Sequence, residues 1–165
     1  TSFSIKATRG ADVFHENALP NRGKNLLARA RPNISSSSKD PGGLWEPKNV
    51  LDGLQCTGWL FEKSDQNPWI TFHCKRSFKA SRIILSPVDA SIVEENRSDR
   101  LEKVRVSVNG KDWVREINFP PDPLSELNID FGEDLRVRNI RIEILQRKSG
   151  KTWVGQGGFS EVILQ

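Results

Sequence analysis

The sequence predicts an all-β protein built as an antiparallel β-sandwich, and three observations support this fold class. Apolar and polar residues alternate with a period of two in several segments, which places one face of each segment in a core. No segment carries the apolar period of a long amphipathic helix. Clusters of Gly, Pro, Asn and Asp separate the alternating segments, as the turns of antiparallel strands require.

The alternation is clearest in the second half of the chain. Val104, Val106 and Val108 alternate with polar residues, and three isoleucines do the same over residues 140–144. These are half-buried strands, and we expect about eight strands in two sheets. The residues predicted to face the core are Ile70, Phe72, Ile84, Val104, Val106, Ile140, Ile142 and Val162.

Length and composition indicate one globular domain. The 165 residues suffice for a single core, and the 36% hydrophobic and 28% charged residues exclude a largely disordered chain. We divide the chain into an N-terminal extension or linker, residues 1–24, and a β-sandwich domain, residues 25–165. No apolar stretch is long enough for a transmembrane segment, and the first residues lack the apolar core of a signal peptide.

The positive charge does not indicate nucleic-acid binding. The formal net charge is +4, but residues 1–40 contain seven Lys and Arg against three Asp and Glu, and residues 41–165 contain 18 of each sign. The domain is therefore neutral overall, and the basic excess lies in the leading segment. Because no helix-turn-helix, zinc or RNA-binding motif accompanies it, nucleic acid is excluded as a partner.

Two cysteines, Cys56 and Cys74, are too few for a disulfide scaffold and do not form a metal motif. If residues 59–61 and 69–72 pair as a hairpin in which partner numbers sum to 130, the two cysteines lie opposite each other. That pairing permits a disulfide, which would stabilise the domain by roughly 3 kcal/mol. Two buried free thiols are an equally good interpretation.

The residue inventory is unfavourable for catalysis. Only two histidines are present, His15 in the leading segment and His73 on a predicted strand. Cys74 follows His73 directly, and adjacent strand residues point to opposite faces, which argues against a Cys-His pair. The neighbouring carboxylates at 94–95 and 133–134 lie in predicted loops and are more typical of solvated charge than of a glycosidase pair. We therefore predict a non-catalytic domain.

Several short segments occur in a characteristic order. They lie at residues 25–28, 35–38, 49–59, 68–72, 103–113, 137–142 and 159–162. The most specific parts are the spacing of Asp52-Gly53, Thr57 and Trp59 and the late pair Ser160-Glu161. In this order the segments resemble the discoidin domain, also called the coagulation-factor C-terminal type, over roughly residues 25–165. The resemblance implies a galactose-binding-like jelly roll used for binding.

Oxygen-bearing residues suggest a calcium site. Asp52 supplies a carboxylate at a tight turn, Thr57 can return an oxygen to the same centre, and Glu161 would reach it from the other end of the chain. The resemblance implies a structural calcium here, with further backbone oxygens near Asn49, Leu54 and Ser160. From spacing alone, an Asp-Gly turn capped by a threonine and a surface glutamate remains the simpler interpretation.

Two tryptophans stand apart from those expected in the core. Trp45 and Trp153 lie in Gly-containing loops, where an exposed ring can stack on the apolar face of a sugar or fold over the sandwich end as a plug. The long connection over residues 86–100 is a third candidate, and the resemblance implies polar ligand contacts from it. The predicted ligand-binding residues are Trp45, Asp89, Asn96, Arg97, Arg100 and Trp153.

Together these features predict a carbohydrate-binding module that attaches a larger extracellular or secreted protein to a glycan or polysaccharide. Covalently linked neighbouring domains and a structural calcium belong to this interpretation. The alternative is a discoidin-type adhesion or membrane-surface domain that binds protein or lipid through apolar loop residues. A third possibility is a sandwich that only packs against a neighbouring catalytic domain.

Overall fold

The computed structural model describes residues 24–54, 56–88, 98–117 and 126–165, and these ranges are mostly antiparallel β-sheet with almost no helix. The all-β prediction is therefore confirmed. The elements in chain order are helix α1 (Leu26–Ala30), β1 (Asn33–Ser36), the 3-10 helix η1 (Pro47–Leu51), β2 (Trp59–Leu60), β3 (Trp69–Pro87), β4 (Arg100–Val108), β5 (Lys111–Glu116), β6 (Leu127–Lys148) and β7 (Gly158–Leu164).

Two long strands connect the layers of the sandwich. In the described ranges the strand order is β2-β7-β3-β6-β4-β5, and β1 also pairs with β3. The first part of β3 pairs with β1, its last part pairs with β7, and β6 runs beside both parts. Between the two parts the β3–β6 register shifts, between His73 and Phe78. A shift of this kind bends a strand, which lets β3 and β6 pass from one layer to the other.

The register also decides which loops share an end of the sandwich. We call the loops 40–46, 61–68, 98–99 and 149–157 the loop end, because contacts described below join them. The opposite end holds the bend of β3 at residues 74–77, the adjoining part of β6 at 136–138 and the β4–β5 turn. Asn109 of that turn donates its backbone N–H to Asn139 O at 3.0 Å. We call this opposite end the corner.

The core predicted from alternation is largely confirmed, since all eight predicted residues are buried. Ile84, however, lies outside the main core cluster, which contains its neighbours Ile83 and Leu85 instead. The cause is a second register shift in β3, between Ala80 and Arg82, which reverses the faces of the residues that follow.

The predicted hairpin between residues 59–61 and 69–72 is wrong. Trp59 pairs with Phe159 of β7, and β3 pairs with β1 and β6. Glycine explains the preference, because a Cβ on Gly158 would lie 1.8 Å from the carbonyl oxygen of Trp59. Only glycine permits this approach of the two backbones. Cys56 and Cys74 are consequently not partners: both are free, Cys56 is exposed and Cys74 is buried.

Asn25 joins the beginning of the described chain to β7. Its side-chain oxygen caps α1 by accepting from Leu27 N at 3.1 Å, and it also accepts from Leu164 N at 3.2 Å. Its amide donates to Val162 O at 2.8 Å. The division into residues 1–24 and 25–165 stays a prediction, because residues 1–23 lie outside the described ranges.

Candidate functional site

The loop end brings together two tryptophans that are 108 positions apart in sequence. The ring centroids of Trp45 and Trp153 are 6.0 Å apart and their planes meet at 60°, an edge-to-face arrangement. Both side chains are half-buried, so neither is a fully covered plug. Their neighbours Leu44 and Val154 are 77% and 49% exposed. The pair therefore forms an apolar platform at the loop end.

Asp99 anchors the loop that carries Trp153. Its side chain is 2% exposed, and Oδ1 accepts from Gly150 N at 2.9 Å and from Gly155 N at 2.8 Å, the two ends of the loop. Ser98 forms an isolated β-bridge with Trp153 itself. A single carboxylate thus closes the loop on both sides of the ring.

Arg147 neutralises this buried carboxylate. Its Nε lies 3.2 Å from Asp99 Oδ2, and its side chain is 18% exposed. The guanidinium group also stacks on Phe61 at 4.5 Å and donates from Nη2 to Asp65 O at 3.0 Å. These contacts connect the loop 61–68 to the same anchor. Neither Asp99 nor Arg147 can be identified from the sequence, because no local pattern distinguishes them from other charged residues.

The loop that carries Trp45 is tied to the Trp153 loop by a second aspartate. Asp40 Oδ1 accepts from Gln156 Nε2 at 2.7 Å, and Asp40 Oδ2 accepts from Gly42 N at 3.0 Å. Next to the ring, Lys39 and Glu46 form an ion pair at 2.9 Å. The two halves of the platform are therefore joined by direct hydrogen bonds as well as by ring contact.

The remaining predicted ligand residues belong to the connection over residues 86–100. Arg100 begins β4, opposite Lys148 of β6, and is half-buried. It lies two residues after Ser98, the bridge partner of Trp153, so it is close to the platform along the chain. Asp89, Asn96 and Arg97 lie outside the described residues.

The predicted calcium ligands begin in a compact loop after η1. Asp52 Oδ2 accepts from Thr57 Oγ1 at 2.6 Å, and Asp52 Oδ1 accepts from Leu54 N at 2.8 Å. Thr57 Oγ1 is also 3.1 Å from Leu54 O. The Thr57 hydroxyl is therefore within hydrogen-bond distance of both a carboxylate and a carbonyl. This arrangement agrees with both interpretations of the sequence, a calcium site and an Asp-Gly turn capped by a threonine.

Glu161 lies on the strand against which this loop packs. A Cβ on Gly58 would lie 2.8 Å from Ser160 Cα, so the backbone after Thr57 touches the backbone before Glu161. Glu161 is 2% exposed, which corrects the interpretation of a surface glutamate. Asn49 fixes the loop from the other side, since its amide donates to Gly58 O at 3.3 Å.

Neutral oxygens would have to complete any cation site here. In the part of the chain that the structure describes, no group of three or more His, Cys, Asp or Glu side chains is arranged to bind a metal. Ser160 donates its hydroxyl to Ser86 O at 3.2 Å, which leaves its backbone carbonyl as the oxygen that the sequence assigned to the site.

The candidate base His73 and the candidate nucleophile Cys74 lie on opposite faces of β3. His73 is exposed and its Nδ1 is 2.5 Å from Asn139 Oδ1, whereas Cys74 is fully buried. Burial raises the pKa of the Cys74 thiol above its ordinary value, because desolvation disfavours the thiolate. A Cys-His pair is absent at this position.

Comparison with known proteins decides the family. The sequence profile of the F5/8 type C domain matches residues 33–157, about three quarters of the chain. The chain belongs to the F5/8 type C domain family. The resemblance to the discoidin domain found in the sequence is thereby confirmed. A search of curated proteins found no significant match.

Solved structures similar to this F5/8 type C domain share its β-sandwich fold. A family 32 carbohydrate-binding module (CBM) of C. perfringens NanJ, solved with galactose, has a TM-score of 0.63 and 18% identity and covers 85% of this chain and 97% of its own. A fucose-binding module of Streptococcus pneumoniae has a TM-score of 0.56 and 16% identity, with coverages of 86% and 97%.

A larger chain contains a similar domain. The Ruminococcus gnavus GH29 fucosidase, solved with fucose, has a TM-score of 0.61 and 15% identity, and the match covers 90% of this chain but 28% of the fucosidase. At these identities the similarity establishes the fold alone. No helix among the described residues of the F5/8 type C domain is long and apolar enough to cross a membrane.

Proposed function

We propose that this F5/8 type C domain is a non-catalytic carbohydrate-binding module whose ligand site is the Trp45–Trp153 platform. The observation that carries the proposal is the position of the two rings, half-buried at one end of a rigid sandwich and held there by Asp99 and Asp40. Solved modules of the same fold were obtained with galactose or are described as fucose-binding, which supports a sugar as the ligand class.

The chemistry of the platform suits a sugar. Apolar C–H groups of a pyranose pack against an aromatic ring, while charged and amide side chains at the rim bind its hydroxyl groups. The Lys39–Glu46 ion pair flanks the Trp45 loop, and we propose that Arg100, Asp89, Asn96 and Arg97 also contact the sugar. A shallow platform covers few ligand atoms, so we expect modest affinity.

A glycan array followed by calorimetry tests this function. Trp153→Ala should weaken binding to any glycan that the wild-type domain binds, while its melting temperature stays close to that of wild type. Trp69→Ala is the matched control, since Trp69 is also half-buried but lies on the outer sheet face beneath Arg141 at 4.5 Å. If both variants bind glycan as the wild type does, the platform is not the site.

The alternative of a membrane-surface domain makes a different prediction with the same proteins. Leu44 and Val154 are the exposed apolar residues that would enter a lipid surface. Binding to anionic vesicles that Leu44→Ser abolishes, together with no binding across a broad glycan screen, would replace the carbohydrate proposal.

We further propose that the loop after η1 and Glu161 bind a structural calcium ion. Asp52, Thr57 and Glu161 would supply side-chain oxygens, and Asn49, Leu54 and Ser160 would supply carbonyls. The donor set suits a hard cation: all six residues offer oxygen, Asp52, Leu54 and Thr57 are joined by hydrogen bonds, and Glu161 supplies a second, buried carboxylate on the adjacent strand β7. Bound calcium would neutralise the two carboxylates and join the loop to β7.

Thermal unfolding tests the calcium proposal. Because calcium would bind only the folded domain, the melting temperature should rise with added calcium and fall with chelator, and Asp52→Ala should abolish that response. Asp130→Ala is the control, since the exposed Asp130 of β6 also accepts from a backbone N–H, that of Gly132, at 2.7 Å. A melting temperature that is independent of calcium in the wild type would refute the site.

We also place the domain in an extracellular or secreted protein with covalently linked neighbours. Support comes from the fucosidase in which a similar domain occupies part of a much longer chain. Detection of the full-length protein outside the cell, joined to a further domain, tests this assignment.

A further inference from the structure

The corner carries a concentration of exposed positive charge that the glycan platform does not use. Five exposed cationic residues lie where β3 and β6 bend, and we call them the corner cations. They are Lys75, Arg76, Lys79, Arg136 and Arg138. This local excess exists although residues 41–165 contain equal numbers of acidic and basic residues.

Several cations elsewhere on the sheet are paired with carboxylates. Arg105 lies 3.2 Å from Glu143, and Arg141 lies 3.3 Å from the same carboxylate. In contrast, no salt bridge between described residues includes a corner cation. The corner cations therefore have no carboxylate partner among the described residues, although all five lie close together.

Strand register places two of these charges directly against each other. Arg136 is the β-sheet partner of Lys79, and like charges at opposed positions destabilise a sheet pair. Arg136 donates from Nη1 to Ser77 Oγ at 3.1 Å, which does not neutralise it. The nearest carboxylates along β6 are Glu133 and Asp134, and Glu133 pairs with Lys111 at 3.1 Å. A bound anion would relieve this repulsion.

The backbone beneath the corner cations is fixed. Asn109 Oδ1 accepts from Arg138 N at 3.1 Å and from Asn139 N at 3.0 Å, and its amide donates to Arg136 O. The β4–β5 turn is thus fastened to β6 at the base of the charged residues. A polyanion that binds here orders side chains alone, which lowers the entropic cost of binding.

We propose that the corner cations bind an anionic polysaccharide, that is, a glycan chain bearing carboxylate or sulfate groups. The surroundings are hydrophilic. The large apolar residues that are exposed in the described chain lie elsewhere, so the corner offers no apolar side chain that could insert into a membrane. No Phe or Trp side chain of the described corner is exposed, so the corner offers no aromatic ring on which a nucleic-acid base could stack. A cluster of positive charges without exposed apolar surface is complementary to a polysaccharide that carries sulfate or uronate groups.

This second surface is distinct from the platform at the loop end. From Arg138 to Lys148, β6 runs ten residues towards the loop end, about 30 Å at 3.3 Å per residue. The domain would therefore contact glycan at two separated places, and two weak contacts on one matrix increase the overall retention.

Heparin, a sulfated uronate polysaccharide, is the probe. The triple variant Lys79→Gln/Arg136→Gln/Arg138→Gln should bind heparin about tenfold more weakly at physiological ionic strength, since three exposed ionic contacts of about 0.5 kcal/mol each amount to one factor of ten. Its affinity should also depend less steeply on salt.

The matched control removes three exposed cations outside the corner. Lys48→Gln/Arg115→Gln/Lys148→Gln changes the net charge equally and should retain heparin affinity to within about twofold, because charges beyond a Debye length are screened. If both triple variants lost heparin affinity equally, the binding would depend on net charge alone and the proposal would be overturned. The proposal would also be overturned if the wild-type domain bound no heparin but bound single-stranded DNA or phosphatidylserine vesicles, and the corner triple variant lost that binding. Trp153→Ala should leave heparin binding unchanged, which separates this test from that of the platform.

Discussion

Asp99 offers the most discriminating test of how the candidate site is held in place. Asp99→Ala removes one member of a buried ion pair with Arg147 and leaves the N–H groups of Gly150 and Gly155 without their acceptor. Removal of one partner from such a pair costs about 3–5 kcal/mol, because the other charge stays buried. For a domain of this size, that corresponds to a melting temperature lower by about 10 °C.

Asp99→Asn separates the charge from the loop contacts. The amide oxygen can still accept from both glycine N–H groups, whereas the ionic contact with Arg147 is lost. We expect a loss of stability that is smaller than in Asp99→Ala by about 1–3 kcal/mol, because the two glycine N–H groups keep their acceptor, and a glycan affinity close to that of the wild type. In Asp99→Ala the loop around Trp153 is released, so glycan affinity should fall even at temperatures where the domain remains folded.

The assays are thermal unfolding by circular dichroism and glycan binding by calorimetry at a temperature well below all transitions. Asp130→Ala again serves as control, since its contact with a glycine N–H is exposed and should change stability by less than about 1 kcal/mol. Wild-type stability and affinity in Asp99→Ala would refute the anchor. Equal loss of affinity in the Asn and Ala variants would assign the effect to charge and would refute the role of the loop hydrogen bonds.

Two further predictions concern the core and the thiols. Trp113→Ala should destabilise the domain by about 3–5 kcal/mol in urea unfolding, since the ring is buried against Phe131 at 4.9 Å, whereas Val114→Ala, on the exposed face of the same strand, should change little. Maleimide should label exposed Cys56 in the native protein and Cys74 only after denaturation, because burial both blocks access and raises the pKa of the Cys74 thiol; native labelling of both would contradict the fold.

Periodicity made much of the sheet predictable and also set the limit of prediction. Val104, Val106 and Val108 all face the core, because β4 keeps one register along its inner residues. In β3 the same reasoning failed at Ile84. The register shift near Ala80 depends on how β3 pairs with β6, and that pairing involves residues about 50 positions away. Alternation within one strand carries no information about such a shift.

The candidate site illustrates a similar limit. Trp45 and Trp153 can be proposed from the sequence because a large aromatic ring in a glycine-containing loop either covers the end of the sandwich or stays open to a ligand. Asp99 was not identifiable, since its partners Gly150 and Gly155 are 51 and 56 positions away and are backbone groups, which every residue except proline carries. Residue type and neighbouring sequence are enough to propose the two tryptophans. The role of Asp99, in contrast, depends on contacts with residues far away in sequence.

The anchors of the two platform loops lie outside the main core. Asp40 and Asp99 fix the two halves of the platform from different loops, and neither belongs to the main core cluster around Ile140 and Ile142. Substitutions in these loops would therefore change the relative position of the rings at little cost to the sandwich, and, if the platform binds sugar as proposed, the preferred sugar as well. The strands of the sandwich determine which loops lie at the same end of the domain. Asp40 and Asp99 determine how the two tryptophan rings are arranged there.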